Sequence, residues 1–254
     1  MQTFASRMIA PLRKKDKESY SSKRMWRDLK KYLLIILLAL FLCVPNSQLA
    51  SAARSDPLLP TADIILDVGH GGIDSGTMVG KYEEKDMNLA IAKKTYKSLV
   101  KKGYRVIINR TEDYALSDDN TWSYGSRHRK DLAQRSGLAN TIKPSMMLSL
   151  HINWSKKSNT RGPLVIYQNQ SDSILLASLL QDALNQVYGT EELPVLGKKY
   201  HVLKYTKCPS VIVELGFLSN KSDRKLLNES HHQAKLAKAI TQAVEQYFAM
   251  TQSK

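Results

Sequence analysis

Three side chains in this 254-residue chain have the types and the surroundings that hydrolytic metal chemistry requires. His70 stands in the turn Gly69-His70-Gly71-Gly72, His151 closes the apolar run from Met146 to Leu150, and Glu214 follows Val211-Ile212-Val213. Two imidazoles and a carboxylate are the donor set of a hydrolytic zinc site, in which three protein ligands leave one tetrahedral position to water. Glycines around His70 let the backbone turn sharply and let a metal or substrate come close, which a histidine buried only for packing does not need. Asn153, two residues beyond His151, carries an amide able to orient that imidazole. Glu214 has apolar residues on both sides, so its carboxyl should be desolvated and its pKa raised toward neutrality, as suits a general base. The competing reading is a structural carboxylate paired with an arginine. A third ligand is needed, and Glu83 and Glu84 both qualify, at the start of a helix that opens Glu84-Lys85-Asp86-Met87-Asn88-Leu89. Either is also a favourable charge at a helix N-terminus.

The other histidines are weighed by position. His231 and His232 open the last helix and are read as surface residues, and His128 lies in the basic loop Arg127-His128-Arg129-Lys130. His201, in Tyr200-His201-Val202-Leu203, leads toward the strand that carries Glu214 and is expected to line the same cleft.

Strands alternating with helices must position these groups. Ile64–Val68 reads as a strand buried on both faces, with further strands at 105–109, 146–150, 164–167 and 211–213. Leu89, Ala92, Tyr96, Leu99 and Val100 recur at helical spacing before Gly103, and helices fit 131–141, 173–188 and 231–248. The fold class is therefore α/β: a single domain with a mainly parallel, mixed sheet and helices on both faces. Ligands of such sheets sit at the carboxyl ends of strands, which is where His70, His151 and Glu214 fall.

The first 52 residues differ from the rest. A basic run containing Lys23, Arg24, Arg27, Lys30 and Lys31 precedes the apolar stretch Tyr32–Val44, and Ala50-Ser51-Ala52 follows. That order is an export signal, cleaved after Ala52 or kept as a membrane anchor, because the apolar run is short of the roughly 20 residues of a spanning helix. Residues 1–52 are thus a signal peptide or anchor, 53–61 a proline-containing linker, and 62–250 the catalytic domain. Ten basic and three acidic residues fall before position 53, leaving 28 and 20 beyond it, so the exported part is moderately basic and suited to an anionic polymer. Once Cys43 goes with the leader, Cys208 alone remains, which excludes a disulfide framework and a thiolate metal cluster. Before Pro209 and an apolar run, Cys208 reads as a small buried filler.

Five stretches in order resemble the amidase_3 family of N-acetylmuramoyl-L-alanine amidases across residues 62–248. They are Asp67-Val68-Gly69-His70-Gly71-Gly72, Glu84-Lys85-Asp86, Asn109-Arg110-Thr111-Glu112-Asp113, Ser149-Leu150-His151-Ile152-Asn153 and Val213-Glu214-Leu215-Gly216-Phe217-Leu218-Ser219-Asn220. The resemblance implies Zn2+ held by His70, Glu84 and His151, with Glu214 catalytic, and it selects Glu84 because the family's ligand directly precedes the lysine matching Lys85. Arg110, Asn153 and His201 are the residues assigned to substrate binding or to support of the ligands. It further implies cleavage between N-acetylmuramic acid and L-alanine, on glycan strands bearing stem peptides. The partner implied is that polymer, and an exported accessory protein is a further candidate partner. Nucleic acid is not among them, and the membrane enters only through the N-terminal segment. Ser123 to Arg135 is similar to the germination-specific subgroup, whose setting is spore cortex maturation toward muramic δ-lactam. Two positions depart from the family, Val68 where proline is usual and Ser145 where aspartate is usual, both expected near the site. A zinc peptidase or deacetylase would use the same donor set, and a non-catalytic wall-binding protein would keep the fold but lose a ligand or Glu214.

Overall fold

A computed structural model of the chain describes residues 25–31, 33, 60–119 and 126–251. Most of the apolar stretch, Cys43, the cleavage position and all but the end of the linker lie outside the described residues, as do Ser123 to Gly125. Residues 25–31 are helical. No helix among the described residues is long and apolar enough to cross a membrane.

The described residues from 60 onward form one compact unit around a six-stranded sheet. The elements, in chain order, are β1 (Ile64–Val68), β2 (Met78–Val79), β3 (Tyr82–Glu83), α1 (Glu84–Lys101), β4 (Val106–Ile108), a 3-10 turn (Leu116–Asp119), α2 (Arg127–Ile142), β5 (Met146–Asn153), β6 (Leu164–Tyr167), α3 (Ser171–Tyr188), β7 (Val195–Leu196), α4 (His201–Tyr205), β8 (Ser210–Phe217), α5 (Lys221–Asn228) and α6 (Ser230–Thr251). The sheet order is β4-β1-β5-β8-β6-β7. The first four strands run parallel, β6 is antiparallel to β8, and β7 is parallel to β6. The expected α/β class with a mainly parallel, mixed sheet is what the chain adopts.

Side chains alternate across a strand, and the two faces of this sheet carry different chemistry. One face presents Ile64, Leu66 and Val68 of β1, Met146, Leu148 and Leu150 of β5, and Val211, Val213 and Leu215 of β8, all buried in the main core with α1, α3 and α6. Burial of each such side chain stabilises the fold by about 1.5–3 kcal/mol. The other face carries Ile65, Met147 and Ile212 in smaller clusters with α2 and α4, and then turns polar: Asp67 on β1, Ser149 and His151 on β5, Glu214 on β8. The chemistry-bearing residues therefore share the less covered face.

The caps explain several boundaries. The Ser126 side chain accepts from the Arg129 N–H, which starts α2 four residues before the expected Asp131 and places His128 in a helix rather than a loop. Lys143, in the left-handed region at φ 55°, ends α2 just before Pro144. Helix α1 has no side-chain cap; instead the Glu84 and Lys85 N–H groups donate to the Thr77 and Ser75 carbonyls.

Candidate metal centre

His70 lies beyond the end of β1 with φ 62°, a left-handed conformation unusual for a side chain with a Cβ. Its backbone is held from beneath. Arg135 of α2, fully buried, donates to the Val68 carbonyl at 2.7 Å and to the His70 carbonyl at 3.3 Å. The same guanidinium pairs with Asp67 at 2.6 Å and with Asp131. Asp67 in turn accepts from Asn109 and Ser149. A carboxylate inside an otherwise apolar strand requires a cation, and Asp67 is the signal in the sequence from which Arg135 could have been found.

His151 and Glu214 are register partners on the adjacent parallel strands β5 and β8. Both lie inside their strands rather than after them, because β5 continues to Asn153 and β8 to Phe217. Neighbouring strands are about 4.8 Å apart, so the shared register places the two side chains next to each other on one face.

Glu84, the first residue of α1, points at both histidines. Its Oε1 is 3.1 Å from His70 Nε2 and 3.1 Å from His151 Nδ1, and accepts from the Ile152 N–H at 3.0 Å; its Oε2 accepts from the Thr77 N–H at 2.9 Å. Asn88, one helical turn on, donates to the same carboxylate and to the Gly69 carbonyl. Glu83 instead faces Lys85 at 3.4 Å. His70, Glu84 and His151 offer one ligand atom each, all within 4.8 Å of one another. Burial by itself would raise the Glu84 carboxyl, but the two histidines outweigh it and hold it well below the usual carboxylate range.

The donor set fits a borderline cation such as zinc: two imidazole nitrogens and a carboxylate oxygen, with the backbone cleared around them. A Cβ on Gly76 would stand 2.6 Å from Glu84 Oε2 and 2.7 Å from His70 Cδ2. His70 Nδ1 is 3.1 Å from Asp74 Oδ2, an ion-pair distance without an aligned hydrogen bond, so the Asp74 charge favours a proton on Nδ1 and leaves Nε2, 3.1 Å from Glu84 Oε1, on the side of the ligand cluster. Asp74 is a positioning residue that the sequence reading missed; its spacing of four from His70 is the signal. Burial alone would lower the His70 pKa, but Asp74 and Glu84, one beside each ring nitrogen, raise it to about 9.

Glu214 is half-buried, and burial pushes its carboxyl up to about 7, the general-base condition expected of it. Its Oε2 has no hydrogen-bond partner, and no arginine pairs with it among the described residues. That removes the reading of a structural ion pair.

The remaining sites divide. Arg110 is buried and donates to the carbonyls of Val68, Gly69, Lys85 and Glu112, so it ties the glycine turn to the start of α1 instead of facing the cleft. Asn153 accepts from the Trp154 N–H through its side chain and does not orient His151. His201 begins α4, not the strand of Glu214, yet it lines a cavity with His151 and Glu214. His232 is buried rather than at the surface, its ring edge-on to Tyr188 at 5.1 Å, whereas His231 is exposed. Cys208 is half-buried against the smaller cluster.

The two departures from the family lie differently from each other. The Val68 N–H donates to Asn109 Oδ1 at 2.8 Å, a bond proline could not make, so the departure fastens the turn. Ser145 precedes β5 at the opposite end from His151 and bonds to Asp63, so it has no part in the site.

Comparison with known proteins agrees with this geometry. The family model described as N-acetylmuramoyl-L-alanine amidase, Amidase_3, matches residues 64–246. The germination-specific N-acetylmuramoyl-L-alanine amidase of Bacillus subtilis is 32% identical over 189 residues, 73% of this chain and 79% of the relative. Among solved structures, the CwlD amidase of Clostridioides difficile in complex with the GerS lipoprotein has a TM-score of 0.70 at 32% identity, covering 75% of this chain and all of that one. An N-acetylmuramoyl-L-alanine amidase of Clostridium difficile 630 follows at 0.64 and 30%, covering 75% and 98%. The peptidase, deacetylase and non-catalytic readings give way to this match: the chain belongs to the amidase_3 family of N-acetylmuramoyl-L-alanine amidases, hydrolases of peptidoglycan.

Proposed function

We propose that the chain is a zinc-dependent amidase in which His70 Nε2, Glu84 and His151 Nδ1 hold the metal and Glu214 is the general base, acting on the bond between N-acetylmuramic acid and L-alanine. The observation that carries this reading is the placement of the unpartnered Glu214 carboxyl beside His151, at the edge of the three-ligand cluster. Zinc, when bound, lowers the pKa of water at its open position toward about 7 and polarises the lactyl carbonyl. Glu214 takes the proton of the attacking water and returns it to the departing alanine nitrogen. Its raised pKa suits both transfers near neutral pH. Asp74 and the Ile152 N–H hold His70 and Glu84 in place, and no covalent enzyme intermediate is required.

Residues 1–52 serve export as signal or anchor, 53–61 link, and 62–250 form the catalytic domain, so the enzyme works outside the cytoplasmic membrane in the wall or the forespore intermembrane space. The germination-specific relative supports action on spore cortex toward muramic δ-lactam, and the lipoprotein complex of the Clostridioides difficile structure supports an exported accessory protein. The test is metal content together with muropeptide products. Glu214→Gln should keep one zinc per chain and lose nearly all release of stem peptides from glycan strands. Wild-type turnover by that variant sinks the role given to Glu214.

A further inference from the structure

A cavity of about 300 Å³ opens beside His151 and Glu214, with His128, Lys199, Tyr200 and His201 forming a further part of its wall. Glu214 is the one carboxylate in its lining, and its other charge-bearing side chains are basic. Burial first, and then the neighbouring Lys204 and Arg129, hold the His201 imidazole below its usual pKa, so the fixed positive charge around the wall comes from lysine and arginine side chains. The wall reaches the metal cluster: His128 Nδ1 is 3.9 Å from Asp74 Oδ2, the carboxylate that holds His70. The α2 start is also locally unfavourable, because its first turn reads Arg127-His128-Arg129-Lys130 with no acidic residue, where a helix dipole favours acids. Breaking a local rule beside a reaction centre is the mark of a functional constraint.

We propose that this wall is a carboxylate subsite, in which His128 and Lys199 take the free α-carboxylate of the second stem-peptide residue. The inference rests on the amidase reading above. That residue is a D-glutamate joined through its side-chain carboxyl, which leaves its α-carboxyl free about 7 Å from the attacked amide by chain reach. The cavity is at the low end of ligand-pocket volumes, so it seats the residues next to the scissile bond and leaves the more distant carboxylates outside. Loss of one charge-assisted hydrogen bond in such a site lowers kcat/KM by about 10- to 100-fold.

The test uses the full, zinc-loaded chain and two soluble glycan-linked stems that differ only in carrying D-glutamate or its α-amide at the second position. The wild type should prefer the free carboxylate by about 10- to 100-fold in kcat/KM. Lys199→Met and His128→Gln should each shrink that ratio, Lys199→Glu should abolish or invert it, and Lys235→Met on α6 should leave the ratio as it is. Equal cleavage of both stems by the wild type overturns the subsite while leaving the amidase reading intact, as does an unchanged ratio in the wall variants. Absence of cleavage of either stem overturns the amidase reading, and the subsite with it.

Discussion

A Cβ placed on Gly69 would collide with Cε1 of His151. The first residue after β1 and a histidine inside β5 therefore share one space, and the imidazole occupies what any larger residue would fill. Gly69→Ala must displace His151 or the turn that carries His70. It should weaken zinc binding by about 10- to 100-fold, the range seen when a ligand's supporting contacts are removed. Circular dichroism should show the fold retained, and competition with a chelating dye should show the loss of affinity.

Proton release gives an independent reading of the ligand set. In the metal-free protein, His70 is protonated below about pH 9, since Asp74 and Glu84 flank its ring, whereas Glu84 is already ionised. Zinc must displace the His70 proton, so its apparent affinity should rise about tenfold per pH unit up to pH 9 and level off above. Titration calorimetry at pH 7 in buffers of different ionisation heat should find about one proton released. Heats that do not depend on the buffer would remove His70 from the ligand set.

The sequence showed the site's parts more clearly than their assembly. β1 and β6 end where the apolar pattern ends, and Leu89 to Val100 marks α1 by its spacing. β5 and β8 extend past the expected ends because a polar residue in a run looks like a strand end, whereas a period of two lets His151 and Glu214 sit mid-strand on the less covered face. Their pairing in register could not be read at all, because it depends on which strands become neighbours. The choice between Glu83 and Glu84 needed the family, and in the structure the helix start and the Thr77 N–H settle which one turns inward. Arg135 is 68 positions from Asp67, and only α2 packing across β1 brings them together.

That buried pair is a point of fragility. Arg135→Met would leave Asp67 and Asp131 without their shared cation in a buried place, which should cost about 3–5 kcal/mol of stability. Urea unfolding should show the midpoint falling. Because Arg135 also holds the Val68 and His70 carbonyls, zinc affinity measured well below that midpoint should fall too. A variant with full stability would mean that Asp67 finds another partner or is neutral in the fold.

Glu214 is expected to work against folding, in a pH window set by its own shift. Its carboxyl has a usual pKa near 4.5 and is raised to about 7 by burial in the metal-free fold. Between those values the folded state binds more protons than the unfolded chain, so stability falls as pH rises from 4.5 to 7 and stays reduced above. At most, this contribution is about 3 kcal/mol at pH 8. Glu214→Gln removes it. In the metal-free protein the variant should melt higher than the wild type at pH 8, and the gap should close as pH falls toward 4.5. A gap of constant size across that range would mean that the carboxyl is not desolvated, and the argument for Glu214 as a base poised near neutrality would lose its physical footing.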